Sequence, residues 1–272
     1  MLEDIFNFDR RLRIDYKKLL NHSSANKKLI NTVNNYLKDY SDYYNLRPVE
    51  ILQYYNDFST RYYSDIKNFK LNGKYPFQLG LNNPINRISY NIFLILSIVV
   101  CIHRHRIMVN LIKYSEGMKG KILIIGLGSG VELEFLSAID SCMEIDAYDI
   151  NVDNFVKDRF NKIFNIKENK FMGKDGFYDY IIAIELLEHL EKPYDFLSMC
   201  YNSLNEKGYM VTTTATDVPQ FDHLYNFKND NEFDENIKAI GFTISAKENI
   251  SHNYMIKNID AKNTWCVLNK LL

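Results

Sequence analysis

The hydrophobic pattern of the chain changes near residue 120. Before it, apolar side chains recur three and four positions apart, as in Leu29, Ile30, Val33, Tyr36, Leu37 and Tyr40. That spacing lines one face of a helix, so residues 1–115 read mainly as helical. One long helix is expected from about residue 84 to 114, stopping at Gly117, a residue suited to a helix C-cap. Asn72-Gly73 and Asn82-Asn83-Pro84 are turn signals. From Lys121 onward, short apolar runs alternate with helical stretches. Residues 121–125, 143–149, 178–184 and 209–214 read as strands, and 131–139, 155–164 and 193–204 as helices. Residues 241–247 and 264–268 read as a terminal strand pair. Strands alternating with helices predict an α/β fold with a parallel sheet. The expected division is a helical domain over 1–117 and an α/β domain over 118–272.

Charge adds an asymmetry that the net value of −1 conceals. Residues 1–120 hold 18 Lys/Arg against 10 Asp/Glu, and residues 121–272 hold 15 against 24. A basic N-terminal region could face an anionic acceptor, although two solvated surfaces of unlike sign give the same counts. No dense basic run with interleaved aromatics is present, so nucleic acid is not an expected partner. The apolar stretch 92–102 is interrupted only by Ser97. It falls well short of the roughly 20 residues of a membrane span and reads as a buried helix. The cysteines Cys101, Cys142, Cys200 and Cys266 are far apart, without zinc-ligand or disulfide spacing. With an acidic, non-apolar start, this predicts a reduced, cytoplasmic protein.

The chemistry begins at Gly126-Leu127-Gly128-Ser129-Gly130, between a strand and a helix. Glycines allow a tight turn and close backbone approach to a ligand, and the next helix offers free N–H groups. Asp149 ends the following strand, 19 residues after Gly130, where a doubly wound sheet places a carboxylate beside a bound ribose; Ile150 adjoins it. The sixth position of the dinucleotide fingerprint is Val131 instead of glycine, which argues against a nicotinamide cofactor.

These residues, with Tyr178 to Leu190 including Glu185-Leu186-Leu187-Glu188-His189, resemble the successive motifs of class I methyltransferases. The resemblance covers about 120–272. It implies a Rossmann-like sheet with a C-terminal antiparallel pair and an S-adenosylmethionine cofactor over Gly126, Gly128 and Gly130. It further implies Asp149 with Ile150 at the ribose, and Glu185 nearby. An acid common in the family two positions before the first glycine is replaced by Ile124, and Asp175 stands as a candidate adenine contact. The Leu-Glu-His segment is similar to that of ubiquinone-pathway and natural-product O-methyltransferases, which implies catalytic roles for Glu188, His189 and the downstream His223. The expected reaction is O-methylation of a small molecule or peptide, at a hydroxyl or a carboxylate. No metal is assigned. One alternative is a metal-assisted 2′-O or phenol methyltransferase holding an ion on Glu185, Glu188, His189 and His223. Another is an S-adenosylmethionine-binding module without catalysis. His103 and His105 read equally as helix-surface residues and as acceptor contacts. The N-terminal tyrosines, 10 of 20 before residue 76, read first as packing and second as a lid over the sulfonium.

Overall fold

The all-apolar run at residues 122–125 splits by strand alternation, because successive side chains point to opposite faces. In the computed structural model, which describes residues 1–79, 86–138, 143–227, 229–252 and 261–270, Ile122 and Ile124 enter one core and Leu123 and Ile125 another. The strand is therefore covered on both faces, as a parallel sheet requires. It is β1 (Gly120–Ile125), the centre of a seven-stranded sheet with β2 (Met143–Asp149), β3 (Asn165–Glu168), β4 (Tyr178–Ala183), β5 (Leu204–Thr216), β6 (Phe242–Ser251) and β7 (Lys262–Lys270). The order is β3-β2-β1-β4-β5-β7-β6. The first five strands run parallel, and β7 is antiparallel to both β5 and β6. The order reverses between β1 and β4, which opens a crevice at the carboxyl ends of those strands.

Helices α1 (Leu2–Phe8), α2 (Arg10–Leu20), α3 (Lys27–Tyr44), α4 (Pro48–Asn72), α5 (Arg87–Val100) and α6 (Ile102–Ser115) precede the sheet. Leu2 and Ile5 of α1 and Ile95 and Leu96 of α5 share one apolar cluster with Ile122 and Trp265 of the sheet. The core thus runs across residues 117/118. Helices α7 (Val131–Leu136) and α8 (Asn154–Phe160) lie on this face, while α9 (Pro193–Ser203) and α10 (Asp230–Ile240) cover the other. Tyrosines of α3 bond the two regions together. Tyr36 donates to the Ser129 carbonyl at 2.7 Å, and Tyr44 and Asn91 both donate to the buried Asp153 at 2.8 Å.

The single long helix expected over 84–114 is two helices, α5 and α6, meeting at 87°. Cys101 between them is extended, with φ −111° and ψ 117°. His105, fully buried, stabilises the bend. Its Nδ1–H donates to the Ile98 carbonyl at 3.0 Å, and its Nε2 accepts the Asn26 N–H at 3.0 Å. His105 is thus neither a surface residue nor an acceptor contact. The short polar strand β3 carries no apolar alternation and has no counterpart in the sequence reading. Asn82-Asn83-Pro84, Ile139 and Cys142 lie outside the described residues. Among the described residues, no single helix is long and apolar enough to cross a membrane.

Candidate functional site

The carboxyl ends of β1, β2, β4 and β5 open on a cavity of about 720 Å³ roofed by α4, α5 and the start of α6. The glycine loop forms one wall. Gly126, Gly128 and Gly130 all have positive φ, and Gly130, at 76°, has no room for a side chain. A Cβ there would stand 2.6 Å from Val156 Cγ2 and 2.9 Å from the Tyr36 hydroxyl. Asp149 shapes this wall from the end of β2. Its Oδ2 accepts the Leu127 N–H at 2.7 Å and the Gly128 N–H at 3.3 Å, and its Oδ1 accepts the Asn151 N–H at 2.9 Å. A carboxylate offers about four acceptor positions, so room remains for a ligand hydroxyl. Arg87 ties α5 to the same wall by donating to the carbonyls of Gly128 and Asn151. Ile150 stands at the rim, 78% exposed.

Ile124 is buried in the core and absent from the cavity lining. The carboxylates lining the cavity here are Glu132, from the first turn of α7, and Glu185. Glu185 follows β4 with φ 51°, a left-handed conformation that a non-glycine residue keeps only when its surroundings enforce it. Three partners do so. The Thr213 hydroxyl accepts the Glu185 N–H at 2.7 Å and donates to Glu185 Oε1 at 2.7 Å. Asn263 Nδ2 also donates to Oε1, at 2.6 Å, and Arg104 pairs with Oε2 at 3.1 Å. Burial raises the Glu132 carboxyl, and Arg104 opposes that rise.

The floor is built from a 3-10 turn at Leu187–His189 and the loop 218–225. The Glu188 carbonyl accepts the N–H groups of Leu224 at 2.8 Å and Tyr225 at 3.0 Å, clamping the two together. Each histidine donates its Nδ1–H to a backbone carbonyl, His189 to Asp222 at 3.0 Å and His223 to Val218 at 2.7 Å. Those bonds assign the tautomers and leave Nε2 as the basic nitrogen of each ring. The rings meet edge-on with centroids 4.9 Å apart. Glu188 is 1% exposed, and its Oε2 has no hydrogen-bond partner. Ligand atoms of Glu188, His189 and His223 lie within 4.8 Å of one another, and Glu185 is outside that group.

The environment separates these groups. Burial, reinforced by the Glu185 carboxylate, pushes the Glu188 carboxyl up to about 8. Burial and the adjacent His189 take His223 down to about 4. For His189 burial acts downward, but the Asp222 carboxylate, 3.6 Å from Nδ1, and that of Glu188 outweigh it and raise the imidazole. Around the whole cavity the carboxylates of Glu132, Asp149, Glu185, Glu188 and Asp222 face the cations of Arg87, Arg104 and Lys170. Of the positive charge of the N-terminal region only Arg87 and Arg104 line this cavity, and Arg87 is committed to loop carbonyls and Arg104 to Glu185.

Gly126, Gly128, Asp149, Ile150, Glu185, Glu188, His189 and His223 all line the cavity, whereas Gly130 does not and packs against Val156 and Tyr36. Asp175 does not. It lines a separate depression with Lys174 and Asn202, and the cavity residues nearest it in sequence are Asn169, Lys170 and Phe171. His103 lines the cavity, stacked on His252 at 3.7 Å. Arg104, Asp222, His252 and Asn263 carry no motif. Only the position of Asp222 next to His223 could have drawn attention to it.

A methyltransferase-domain family model matches residues 103–250, more than half of the chain. A comparison with curated proteins finds no match. Among solved structures, the chain resembles 1,6-didemethyltoxoflavin-N1-methyltransferase of Burkholderia thailandensis, bound to 1,6-didemethyltoxoflavin and S-adenosylhomocysteine. That match has 12% identity and a TM-score of 0.51, over 61% of this chain and 79% of that one. It also resembles phosphoethanolamine N-methyltransferase 2 of Haemonchus contortus in complex with S-adenosyl-L-methionine, at 15% identity and a TM-score of 0.50. There the match covers 61% of this chain and 52% of the other. With the sheet order, the glycine loop and the family match in agreement, the chain belongs to the class I S-adenosylmethionine-dependent methyltransferases.

Proposed function

We propose that the chain is an O-methyltransferase of the Leu-Glu-His type, acting on a hydroxyl of a small molecule or peptide of the natural-product kind. Gly126, Gly128, Gly130, Asp149, Ile150 and Glu185 hold the donor, and residues 1–117 supply the roof over the acceptor. The observation that carries this reading is the pair of imidazoles, each with Nδ1 committed to a carbonyl and Nε2 basic, lining the same cavity as the glycine loop. The acceptor oxygen attacks the sulfonium methyl in line; its bond to carbon forms as the carbon–sulfur bond breaks. The hydroxyl proton passes to His189 Nε2, leaving a methyl ether and S-adenosylhomocysteine. His189 suits the base role because the Asp222 carboxylate raises it against burial, whereas burial takes His223 down to about 4 and makes it the weaker base. Glu188, whose carboxyl burial pushes up to about 8, can in its protonated form donate to the acceptor oxygen and position it. The acidic lining weighs against a carboxylate acceptor.

The test is transfer of labelled methyl from S-adenosylmethionine into extract, comparing the wild type with His189→Gln. Loss of a general base lowers the rate about 10²–10⁴-fold, with donor affinity unchanged. Unaltered transfer would remove His189 from the mechanism, and no labelled acceptor with either protein would favour a binding module.

The clustering of Glu188, His189 and His223 supports a second reading, a divalent ion held by these three that orients the acceptor oxygen. Both ring tautomers suit it, since Nδ1–H bonded to a carbonyl is the usual support for a ligating Nε2. Transfer that disappears on chelation and returns with added ion would favour this reading. Indifference to chelator favours the base.

A further inference from the structure

Helices α4 and α5 present six aromatic side chains to the cavity, Tyr55, Phe58, Tyr62, Tyr63, Tyr90 and Phe93. They form a connected array. Phe93 stacks on Phe58 at 4.2 Å and 29° and on Tyr55 at 5.5 Å and 25°. Phe58 also meets Tyr90 at 5.8 Å and packs edge-on to Phe221 at 5.4 Å. Phe93 and Tyr90 keep part of their surface open to the cavity.

Two properties of this wall restrict what it can bind. It is uncharged: among the cavity residues of α4 and α5, only Arg87 carries charge, and that guanidinium is committed to the loop carbonyls. Its ring faces are also partly taken: Phe93 stacks on Phe58 and Tyr55, Arg87 lies over the Tyr90 ring at 5.7 Å and Arg61 over the adjoining Phe221 ring at 3.6 Å. Aromatic faces carry the negative part of the quadrupole and edges the positive part. A cation is bound by faces and gains little from such a wall. An aromatic ligand gains, because it can extend the array by offset stacking or by an edge-to-face contact.

We propose that this wall is the acceptor subsite and that the acceptor is a neutral, flat aromatic compound bearing a hydroxyl. This deepens the O-methyl-transfer reading and rests on it for the placement of the hydroxyl at the imidazole floor. Recognition of the ring is independent of that chemistry.

The test separates the two. Calorimetry with S-adenosylhomocysteine present compares 2-naphthol, its saturated counterpart decahydro-2-naphthol, and choline as a cation, on the wild type and on Phe93→Leu. An aromatic pair is worth about 0.5–1.5 kcal/mol beyond its buried area, or about fivefold in affinity. The expected results are therefore binding of 2-naphthol to the wild type, about fivefold weaker binding of the saturated alcohol, and a similar loss for 2-naphthol in Phe93→Leu. Equal or tighter binding of decahydro-2-naphthol or choline to the wild type would overturn the proposal, whatever the variant's folding. The ring preference together with no methyl transfer to any hydroxylated acceptor would keep the subsite and discard the O-methyl-transfer reading.

Discussion

Arg104 at the start of α6 stands 3.1 Å from Glu185 Oε2 at the tip of β4, with both side chains largely buried. This pair fixes the helical roof to the residue two positions beyond the end of β4. Removing one member of a buried pair leaves the other charge uncompensated, at a cost of about 3–5 kcal/mol. Arg104→Met should lower the urea-unfolding free energy by about 3 kcal/mol and weaken the donor site through the released Glu185. A change below about 0.5 kcal/mol would show that Thr213 and Asn263 hold Glu185 without it.

Gly130 couples the glycine loop to α3. Its φ of 76° and the nearness of Val156 and the Tyr36 hydroxyl leave no space for a methyl group. Gly130→Ala is expected to destabilise the fold by about 1–3 kcal/mol and to lower donor affinity. Tyr36→Phe, which removes only the bond to the Ser129 carbonyl, should cost about 1 kcal/mol. Chemical denaturation ranks the two, and a larger loss for Tyr36→Phe would contradict the steric argument.

The stacked pair His103 and His252 predicts an acid-sensitive fold. Burial lowers both imidazoles, with Arg104 acting in the same direction, and it takes His252 to about 4, although Asn263 and Glu185 act to raise it. Between the unfolded value of about 6.5 and the folded values, the unfolded chain binds protons that the folded chain does not. Stability therefore falls as pH drops through that window, by about 1.4 kcal/mol per unit for each histidine. His103→Gln should flatten the fall in urea midpoint between pH 6.5 and 5 relative to the wild type. Parallel slopes would contradict it.

Asp222 sets the pH dependence of the proposed base. Its carboxylate raises His189 against the effect of burial. The base is active when unprotonated, so kcat/KM should rise with pH through a value above 6.5. Asp222→Asn removes the raising charge and should move that limb to lower pH. A limb that stays in place would assign the titration to another group.

The sheet was legible because β1 and β4 carry apolar runs, β2 alternates apolar with acidic residues and β5 holds the apolar stretch 209–211, with helices between, and strand alternation gives 122–125 two buried faces. The glycine-loop wall of the cavity was legible because Gly126, Gly128 and Asp149 are local in sequence and fixed by the turn they make. The bend at Cys101 was not, because it depends on the tertiary bonds of His105 to Asn26 and Ile98. Strand β3 was not, because four residues at a sheet edge with Ile166 as their one apolar member carry no alternation. Nor were Arg104, His252 and Asn263, which reach the cavity from α6, the end of β6 and β7, and whose meaning comes only from partners brought together by folding.

The donor site is tested most directly by calorimetric titration of S-adenosylmethionine into the wild type and into Asp149→Ala, with a melting curve for each. Asp149 supports the loop through Leu127 and Gly128, and the proposed donor placement gives its remaining acceptor positions to the ribose. The expected result is one-to-one binding to the wild type and none detectable to a folded Asp149→Ala. Undiminished binding to the variant would contradict it and place the donor elsewhere in the molecule.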